Sequence, residues 1–188
     1  MNSGRVDVQR FLQRQKARLL STLFASVFLC PLFAFAALPY QPSGSVNDFA
    51  SVLSVTEKDT LEVTLADFKT KTGIEIAVVS IQSLEGDTVE NVAVELFKQW
   101  GIGKKGADTG VLLLVAQDDR KLRIEVGYGL EGTVTDIFAN GVINQIMVPE
   151  FKAGNFGVGI TKGVDAVIAK ISGENVVGIE STNQGSVF

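Results

Sequence analysis

The chain has 188 residues, of which 46% are hydrophobic and 20% are charged, a composition typical of one globular domain and not of a disordered protein. It contains no histidine and a single cysteine. These counts exclude Ser-His-Asp hydrolysis, histidine-ligated zinc and phosphohistidine chemistry, because each of them needs an imidazole.

The N-terminal segment has the layout of a secretory signal. Five basic residues and one acidic residue precede an apolar run over 19–37. The small residues Ala34 and Ala36 predict cleavage after Ala36. An uncleaved membrane anchor is the alternative, since the run is close to the length that spans a bilayer, but the small residues favour cleavage. A lipoprotein is not expected, because the bulky Leu29 precedes the only cysteine, Cys30.

Cleavage would leave an exported and acidic chain. Without the leader, 12 of the 17 basic residues and 20 of the 21 acidic residues remain, a net charge of −8. Such a surface is a poor match for nucleic acid, whose binding needs clustered Lys and Arg. With no histidine and no remaining cysteine, any bound metal must be a hard cation held by oxygen, Ca²⁺ or Mg²⁺. We therefore predict a periplasmic or secreted protein with a divalent cation as its cofactor.

The predicted elements alternate helices with strands after an entry linker at 37–45. Thr56 and Asp59 resemble a capping box, so the first helix is expected to begin at Thr56, and Gly73 is expected to end it. Pro149 is expected to close the third helix. The predicted elements are, in chain order, a helix at 56–72, a strand at 74–81, a helix at 88–100, strands at 111–116 and 121–126, and helices at 135–147 and 156–171.

The strands predict a mixed sheet. The strand at 111–116 is continuously apolar, as expected of a central strand, whereas the strand at 121–126 alternates apolar and charged residues, as expected nearer an edge. The short connection between them makes an antiparallel hairpin, and the helix at 88–100 makes a right-handed parallel crossover. We predict an α/β domain at 46–172 with helices on both faces of the sheet, followed by a flexible tail at 173–188.

The hairpin is expected to gather acidic residues at one end of the sheet. Asp108 lies just before its first strand, Tyr128 and Glu131 lie just after its second strand, and Asp136 is close enough along the chain to join them. Carboxylates close to backbone carbonyls suit calcium. We predict Asp108, Glu131 and Asp136 as metal ligands, with Asp48 as a fourth.

Two glycine-rich loops flank the same end of the sheet. Loops with so many glycines let backbone approach a ligand closely. Neither loop has the spacing and context of a phosphate-cradling P-loop or of a dinucleotide-binding fingerprint. The residues predicted to form a loop that binds substrate are Gly103, Lys105, Gly110, Tyr128 and Gly129.

Each acidic residue also has a purely structural interpretation. Asp108 suits a turn, and Asp48 can cap a local turn. Asp136 is favoured by the helix dipole with or without a metal, and a surface residue such as Glu131 is usually just solvated. The cleft could instead lie at the opposite end of the sheet, at the carboxyl ends of the parallel strands. The acidic residues at that end are Glu85, Asp87 and Asp118.

Several segments in combination resemble the TPM domain family. They are Val46-Asn47-Asp48, Trp100-Gly101-Ile102-Gly103, Asp108-Thr109-Gly110 with the apolar strand after it, Arg123 to Gly132, and Thr135-Asp136. The resemblance runs from about Val46 to Ile171. It implies an extracytoplasmic three-layer α/β/α sandwich with a mixed central sheet of about four strands and helices on both faces.

The resemblance implies less about activity. Plant thylakoid-lumen relatives are described as acid phosphatases involved in photosystem II repair, some bacterial relatives bind calcium, and an animal relative modulates a receptor channel. Two functions follow: a cation-binding accessory domain that acts with envelope or membrane protein complexes, or a metal-dependent phosphatase with a phosphate ester as substrate. The chain has no Asp-x-Asp nucleophile pattern and no histidine, so only metal-assisted hydrolysis would serve the second function.

Overall fold

The computed structural model describes residues 38–103, 106–176 and 179. The expected signal peptide and Lys105 lie outside the described residues, as does most of the expected tail. No helix in these ranges is long and apolar enough to cross a membrane. The elements are β1 (Val46–Asp48), α1 (Val55–Thr72), β2 (Glu75–Ile81), α2 (Val89–Trp100), β3 (Gly110–Ala116), β4 (Lys121–Val126), a 3-10 turn (Tyr128–Leu130), α3 (Asp136–Gly141), a π-helix (Val142–Met147), α4 (Val148–Lys152) and α5 (Phe156–Ile171).

The four strands form one mixed sheet in the order β1-β2-β3-β4. The first two pairings are parallel, and β3 pairs with β4 as an antiparallel hairpin. Every residue of β3 is buried, and β4 lies at an edge, which confirms the prediction for both strands. The short strand β1 was not predicted, because three residues are too few to show an alternating pattern. It is held by Glu62 of α1, whose carboxylate accepts hydrogen bonds from the backbone N–H groups of Ser45 and Val46.

Helices cover both faces of the sheet, which confirms the α/β/α sandwich. Leu61 and Leu65 of α1 share one core cluster with residues of α3, the π-helix and α5, whereas Leu96 of α2 lies in a second cluster on the other face. Because the strand order is sequential while α1 and α2 pack on opposite faces, the β1–β2 and β2–β3 crossovers have opposite hands. The β2–β3 crossover was predicted to be right-handed. Since only one of the two crossovers is right-handed, the general preference for right-handed crossovers does not establish which one it is.

The first helix begins at Val55, one residue earlier than predicted. Its N-cap is Ser54, whose Oγ accepts a hydrogen bond from the Glu57 backbone N–H at 3.3 Å, and the Glu57 carboxylate accepts one from the Ser54 N–H at 2.8 Å. The predicted capping box of Thr56 and Asp59 is therefore wrong, because the longer Glu57 side chain reaches back to the N-cap and Asp59 does not do so here. Gly73 ends the helix in a left-handed conformation, as predicted.

The third predicted helix does not stop at Pro149. After α3 the backbone widens into the π-helix, and α4 continues through Pro149 to Lys152. Pro149 lies in the first turn of α4, where its missing N–H costs little. The π-helix accommodates the proline by shifting the hydrogen-bond register before it, so the helical segment continues where the sequence predicted an end. The last helix, α5, has the predicted bounds.

The expected entry linker and two residues beyond α5 contact the rest of the domain. The Gln99 side chain accepts a hydrogen bond from the Leu38 N–H and donates one to the Leu38 carbonyl, each at 3.1 Å. Trp100 is half-buried, and its Nε1 donates to the Tyr40 carbonyl at 3.1 Å. Beyond α5, Val176 and Ile179 pack against the core.

Candidate functional site

Three loops meet at the amino end of β3, which is the end predicted for the site. The Gly127 N–H donates to the Gly110 carbonyl at 2.8 Å, and the Gly129 N–H donates to the Asp108 carbonyl at 3.2 Å. These bonds confirm that the hairpin brings Asp108 and Tyr128 to the same end of the sheet. The contact runs through the backbone of Asp108 and not through its carboxylate.

The glycines of these loops allow backbone to pack on backbone. A Cβ on Gly129 would lie 2.1 Å from the carbonyl oxygen of Ala107, and one on Gly110 would lie 2.8 Å from the carbonyl oxygen of Ile102. Gly103 faces Gly110 in the same way and has a φ of +91°. At these three glycines a neighbouring loop therefore occupies the space that a side chain would need. The predicted contact of these glycines with a ligand stays a prediction.

Asp108 has the features of a turn residue. Its φ is +46°, a left-handed conformation that Asp tolerates better than most residues, and its side chain is exposed. Tyr128, in the 3-10 turn that follows β4, is 81% exposed. Neither side chain lines the cleft described next, and the structural interpretation of Asp108 accounts for its position.

The acidic cleft lies beside the edge strand β4 and has a volume of about 340 Å³. It brings together Glu131 and Asp136, two of the predicted ligands. It adds two residues that sequence reasoning missed, Arg123 and Glu125 of β4. The residues that line the acidic cleft are Arg123, Glu125, Val126, Glu131, Val134, Thr135 and Asp136.

The acidic cleft carries more negative than positive charge. Arg123 binds the Glu125 carboxylate through Nε at 3.0 Å and through a terminal guanidinium nitrogen at 2.9 Å. Glu131 and Asp136 add two further negative charges. Thr135 fixes the position of Asp136, because its Oγ1 accepts a hydrogen bond from the Phe138 N–H at 3.3 Å and so caps α3. The cleft thus carries three carboxylates and one guanidinium on ordered elements.

Asp48 lies at the opposite end of the sheet, so its predicted place beside Asp108 is wrong. Asp48 pairs in register with Ser80, near the carboxyl end of β2, whereas Asp108 precedes the amino end of β3. The Asp48 carboxylate accepts hydrogen bonds from the N–H groups of Val52 and Leu53, at 3.0 and 2.9 Å, and from the Ser80 hydroxyl. It caps the turn after β1, as its structural interpretation predicted.

The acidic residues at the carboxyl end of the sheet also hold loops. Asp118 accepts a hydrogen bond from the Gln82 side chain at 2.7 Å, and Asp119 accepts one from the Leu84 N–H at 2.8 Å. Hydrogen bonds from the Asn91 side chain and from a neighbouring backbone N–H lower the pKa of Asp87. Asp118 and Asp119 therefore shape the hairpin, and two acidic side chains of the alternative site, Asp87 and Asp118, are already engaged.

The acidic cleft fits a hydrated cation better than a fully coordinated one. Within the described part of the chain, no three acidic side chains come close enough to hold one metal ion. A calcium ion stripped of water needs six to eight oxygen ligands, which these carboxylates do not supply at one point. A hydrated ion such as Mg²⁺ needs only one or two carboxylates and keeps several waters. Glu131 and Asp136 are the residues that could hold it.

The two missed residues left a weak signal in the sequence. Arg123 and Glu125 are two positions apart in a strand, so their side chains lie on one face, and the strand leads directly to the end where Glu131 follows. The same alternation is typical of any solvated edge strand. It could not distinguish the wall of a cleft from ordinary surface.

Comparisons with known proteins agree with this architecture. Residues 46–170, more than half of the chain, match the model of the TPM domain. The N-terminal domain of a protein from P. gingivalis is 33% identical, with a TM-score of 0.65 over 69% of this chain and 82% of that chain. A search of curated proteins gives no match.

Two further solved structures show the same fold at lower identity. The BA42 protein from the psychrophilic bacterium Bizionia argentinensis is 24% identical, with a TM-score of 0.56 over 64% of this chain and 82% of that chain. The N-terminal domain of the cg2496 protein from Corynebacterium glutamicum is 16% identical, with a TM-score of 0.55 over 76% of this chain and 89% of that chain. With the family model matched over residues 46–170, the chain belongs to the TPM domain family.

Proposed function

We propose that this chain is an extracytoplasmic accessory domain that binds a divalent cation in its acidic cleft and acts on or with envelope or membrane protein complexes. The observation that carries the proposal is the charge of the acidic cleft. Glu125, Glu131 and Asp136 line it together with a single guanidinium, that of Arg123.

The pairing within the cleft leaves a net negative site. Because Arg123 is bonded to Glu125, the two neutralise each other, and Glu131 and Asp136 contribute two uncompensated charges to the same small volume. Two carboxylates that share a cleft repel each other, and a divalent cation between them removes this repulsion. A net charge of −8 on the chain after Ala36 also raises the local concentration of cations.

Two features support an accessory role. The leader pattern at the N-terminus is typical of an exported protein. The P. gingivalis and C. glutamicum relatives are N-terminal domains, so the fold occurs as a module attached to other segments. A module that binds a cation at one edge of its sheet can dock on a larger assembly through that edge.

A thermal melt with and without Ca²⁺ or Mg²⁺ tests the cation site. A ligand that binds only the folded state at about 100 times its Kd stabilises it by about 2.7 kcal/mol. We expect residues 37–188 to gain stability in millimolar cation, and we expect the double variant Glu131→Gln/Asp136→Asn to lose this response. Asp118→Asn is the matched control, since it removes one carboxylate at the other end of the sheet. Absence of any cation-dependent shift in the parent chain would refute the site.

Arg123 favours one second candidate, a metal-dependent phosphatase. A guanidinium beside carboxylates that hold a cation can bind a phosphate ester, because its fork of N–H donors matches phosphate oxygens. We would measure release of p-nitrophenol from p-nitrophenyl phosphate with Mg²⁺, with Ca²⁺ and with chelator. Turnover that needs the cation and is lost in Glu131→Gln/Asp136→Asn would establish the enzyme. Cation binding without turnover would establish the accessory module.

A further inference from the structure

A cavity of about 650 Å³ lies where α3 and the π-helix meet the end of α5. Its volume is in the range of about 300–1,000 Å³ that is typical of sites for small molecules. It adjoins the acidic cleft, because Thr135 lines both. We call it the amide cavity after four side-chain amides that line it, those of Asn140, Asn144, Gln145 and Asn175.

The π-helix brings three of these amides to one face. Asn140 lies in α3, and Asn144 and Gln145 follow it by four and five residues in the π-helix. In an α-helix, a residue five positions further on is rotated by about 140° and faces away. The i→i+5 hydrogen bonds of a π-helix return such a residue to the face of the first one. Widened turns of this kind occur frequently at functional sites.

The four amides keep hydrogen-bonding capacity for a ligand. The Asn140 side chain donates to the Asp136 carbonyl, and the Asn144 side chain donates to the Asn140 carbonyl, each at 2.9 Å. These bonds hold both side chains in place and use one N–H of each. The side chains of Gln145 and Asn175 form no hydrogen bond with another described residue. Because a carboxamide has two N–H donors and an acceptor oxygen, the cavity offers donors and acceptors together.

The charges that line the amide cavity balance. Its charged residues are Lys170 and Glu174. The Lys170 ammonium also lies 5.4 Å from the ring centroid of Phe138. An ion therefore gains little net attraction here, in contrast to the acidic cleft. Ile137, which is 81% exposed, and Phe138 add apolar surface. The cavity suits an uncharged ligand that has both hydrogen-bonding and apolar parts.

We propose that the amide cavity binds an N-acetylated amino sugar. The acetamido group of such a sugar has one N–H donor, one carbonyl acceptor and a methyl group, which match a side-chain amide and the apolar surface of Ile137. The hydroxyl groups of the sugar both donate and accept, so they match the remaining amides. A peptide strand would instead pair with a sheet edge through its backbone, and none of the described residues that line this cavity lies in a strand.

A matched pair of disaccharides tests the proposal. The probes are di-N-acetylchitobiose and cellobiose, which have the same linkage and differ in the acetamido or hydroxyl group at one position of each ring. Each is titrated into residues 37–188 in the presence of chelator, and two-dimensional proton–nitrogen NMR spectra report binding. We expect di-N-acetylchitobiose to bind saturably and to shift the side-chain signals of Asn144, Gln145 and Asn175. Cellobiose should bind roughly tenfold more weakly, the change that loss of one or two hydrogen bonds produces.

Substitutions of similar size locate the site. The double variant Asn144→Leu/Gln145→Met removes two amides, and we expect it to bind di-N-acetylchitobiose at least roughly tenfold more weakly than the parent chain does. Gln117→Met, in the turn between β3 and β4, is the matched control and should bind as the parent chain does. Thermal melts show whether each variant is folded. The amide signals of the parent chain locate the ligand even where the double variant fails to fold.

The proposal has distinct ways to fail. It is overturned where the folded parent chain shows no saturable binding of di-N-acetylchitobiose. Equal binding of the two disaccharides would overturn it as well, because the acetamido group would then not be recognised. Shifts confined to residues outside the amide cavity would exclude the cavity as the site, as would unchanged binding by the folded double variant. Because chelator is present, the outcome does not depend on whether the acidic cleft binds a cation.

Discussion

Gly129→Ala tests whether the glycine-rich loops serve packing or ligand approach. A Cβ at this position would lie 2.1 Å from the Ala107 carbonyl oxygen and 3.1 Å from Cγ2 of Thr109. Carbon and oxygen atoms do not approach so closely, so the two loops must separate by roughly 1 Å. Overpacking of this kind costs about 1–3 kcal/mol. The movement also weakens the hydrogen bond from the Gly129 N–H to the Asp108 carbonyl, which contributes about 1 kcal/mol.

The expected loss is therefore about 2–4 kcal/mol in the free energy of unfolding. In a domain of this size the melting temperature should fall by about 5–15 °C. Gly132→Ala is the matched control in the same segment, because a Cβ there meets no heavy atom within 4 Å. We expect it to change stability by less than about 0.5 kcal/mol. Urea and thermal unfolding of both variants provide the measurement.

The result that would refute this explanation is specific. If Gly129→Ala melts like Gly132→Ala but loses the response to Ca²⁺ or Mg²⁺, the glycine serves the approach of a ligand and not the packing of the loops. Loss of stability with a normal cation response would support the packing role. A loss of both would show that the loops and the acidic cleft depend on each other.

Three further changes test the local structure. Ser54→Ala should lower the free energy of unfolding by about 1 kcal/mol, measured by urea unfolding, because it removes the N-cap of α1. Hydrogen bonds from Ser54 lower the pKa of Glu57, so its contribution is present above the unfolded pKa and is lost as the pH falls through the folded one. The stability deficit of Glu57→Gln should therefore disappear in acid. Asp108→Val should cost roughly 1–3 kcal/mol because its φ is positive, whereas Asp108→Gly should melt within about 0.5 kcal/mol of the parent chain.

Local signals predicted most of the fold. Gly73 and Gly101 end α1 and α2 because both helices close with a left-handed residue that glycine adopts freely. The continuous apolar run of β3 predicted a buried central strand for the same kind of local reason. Strand β1 could not be predicted, since it depends on pairing with β2 and on the Glu62 carboxylate, both distant in sequence. Pro149 predicted a helix end that the structure does not have, because the π-helix before it is set by packing and not by a sequence signal.

The site was predictable only where neighbours in space are neighbours in sequence. Glu131 and Asp136 meet because one short connection after β4 carries both. Asp48 was assigned to the wrong end because its position depends on the direction and register of β1. Glu125 was overlooked because an alternating edge strand looks the same in the sequence whether or not a cleft opens beside it.

Glu131 and Asp136 of the acidic cleft differ from the acidic residues at the carboxyl end of the sheet in their hydrogen bonds. At the carboxyl end, the carboxylates of Asp48 and Asp119 accept hydrogen bonds from backbone N–H groups, so they stabilise loops. At the acidic cleft, no hydrogen bond to the side chains of Glu131 or Asp136 is formed by another described residue. A carboxylate that already accepts N–H groups has fewer lone pairs for a cation, whereas Glu131 and Asp136 keep theirs. Glu131 and Asp136 are therefore open to a ligand, unlike the carboxylates of Asp48 and Asp119 at the carboxyl end of the sheet.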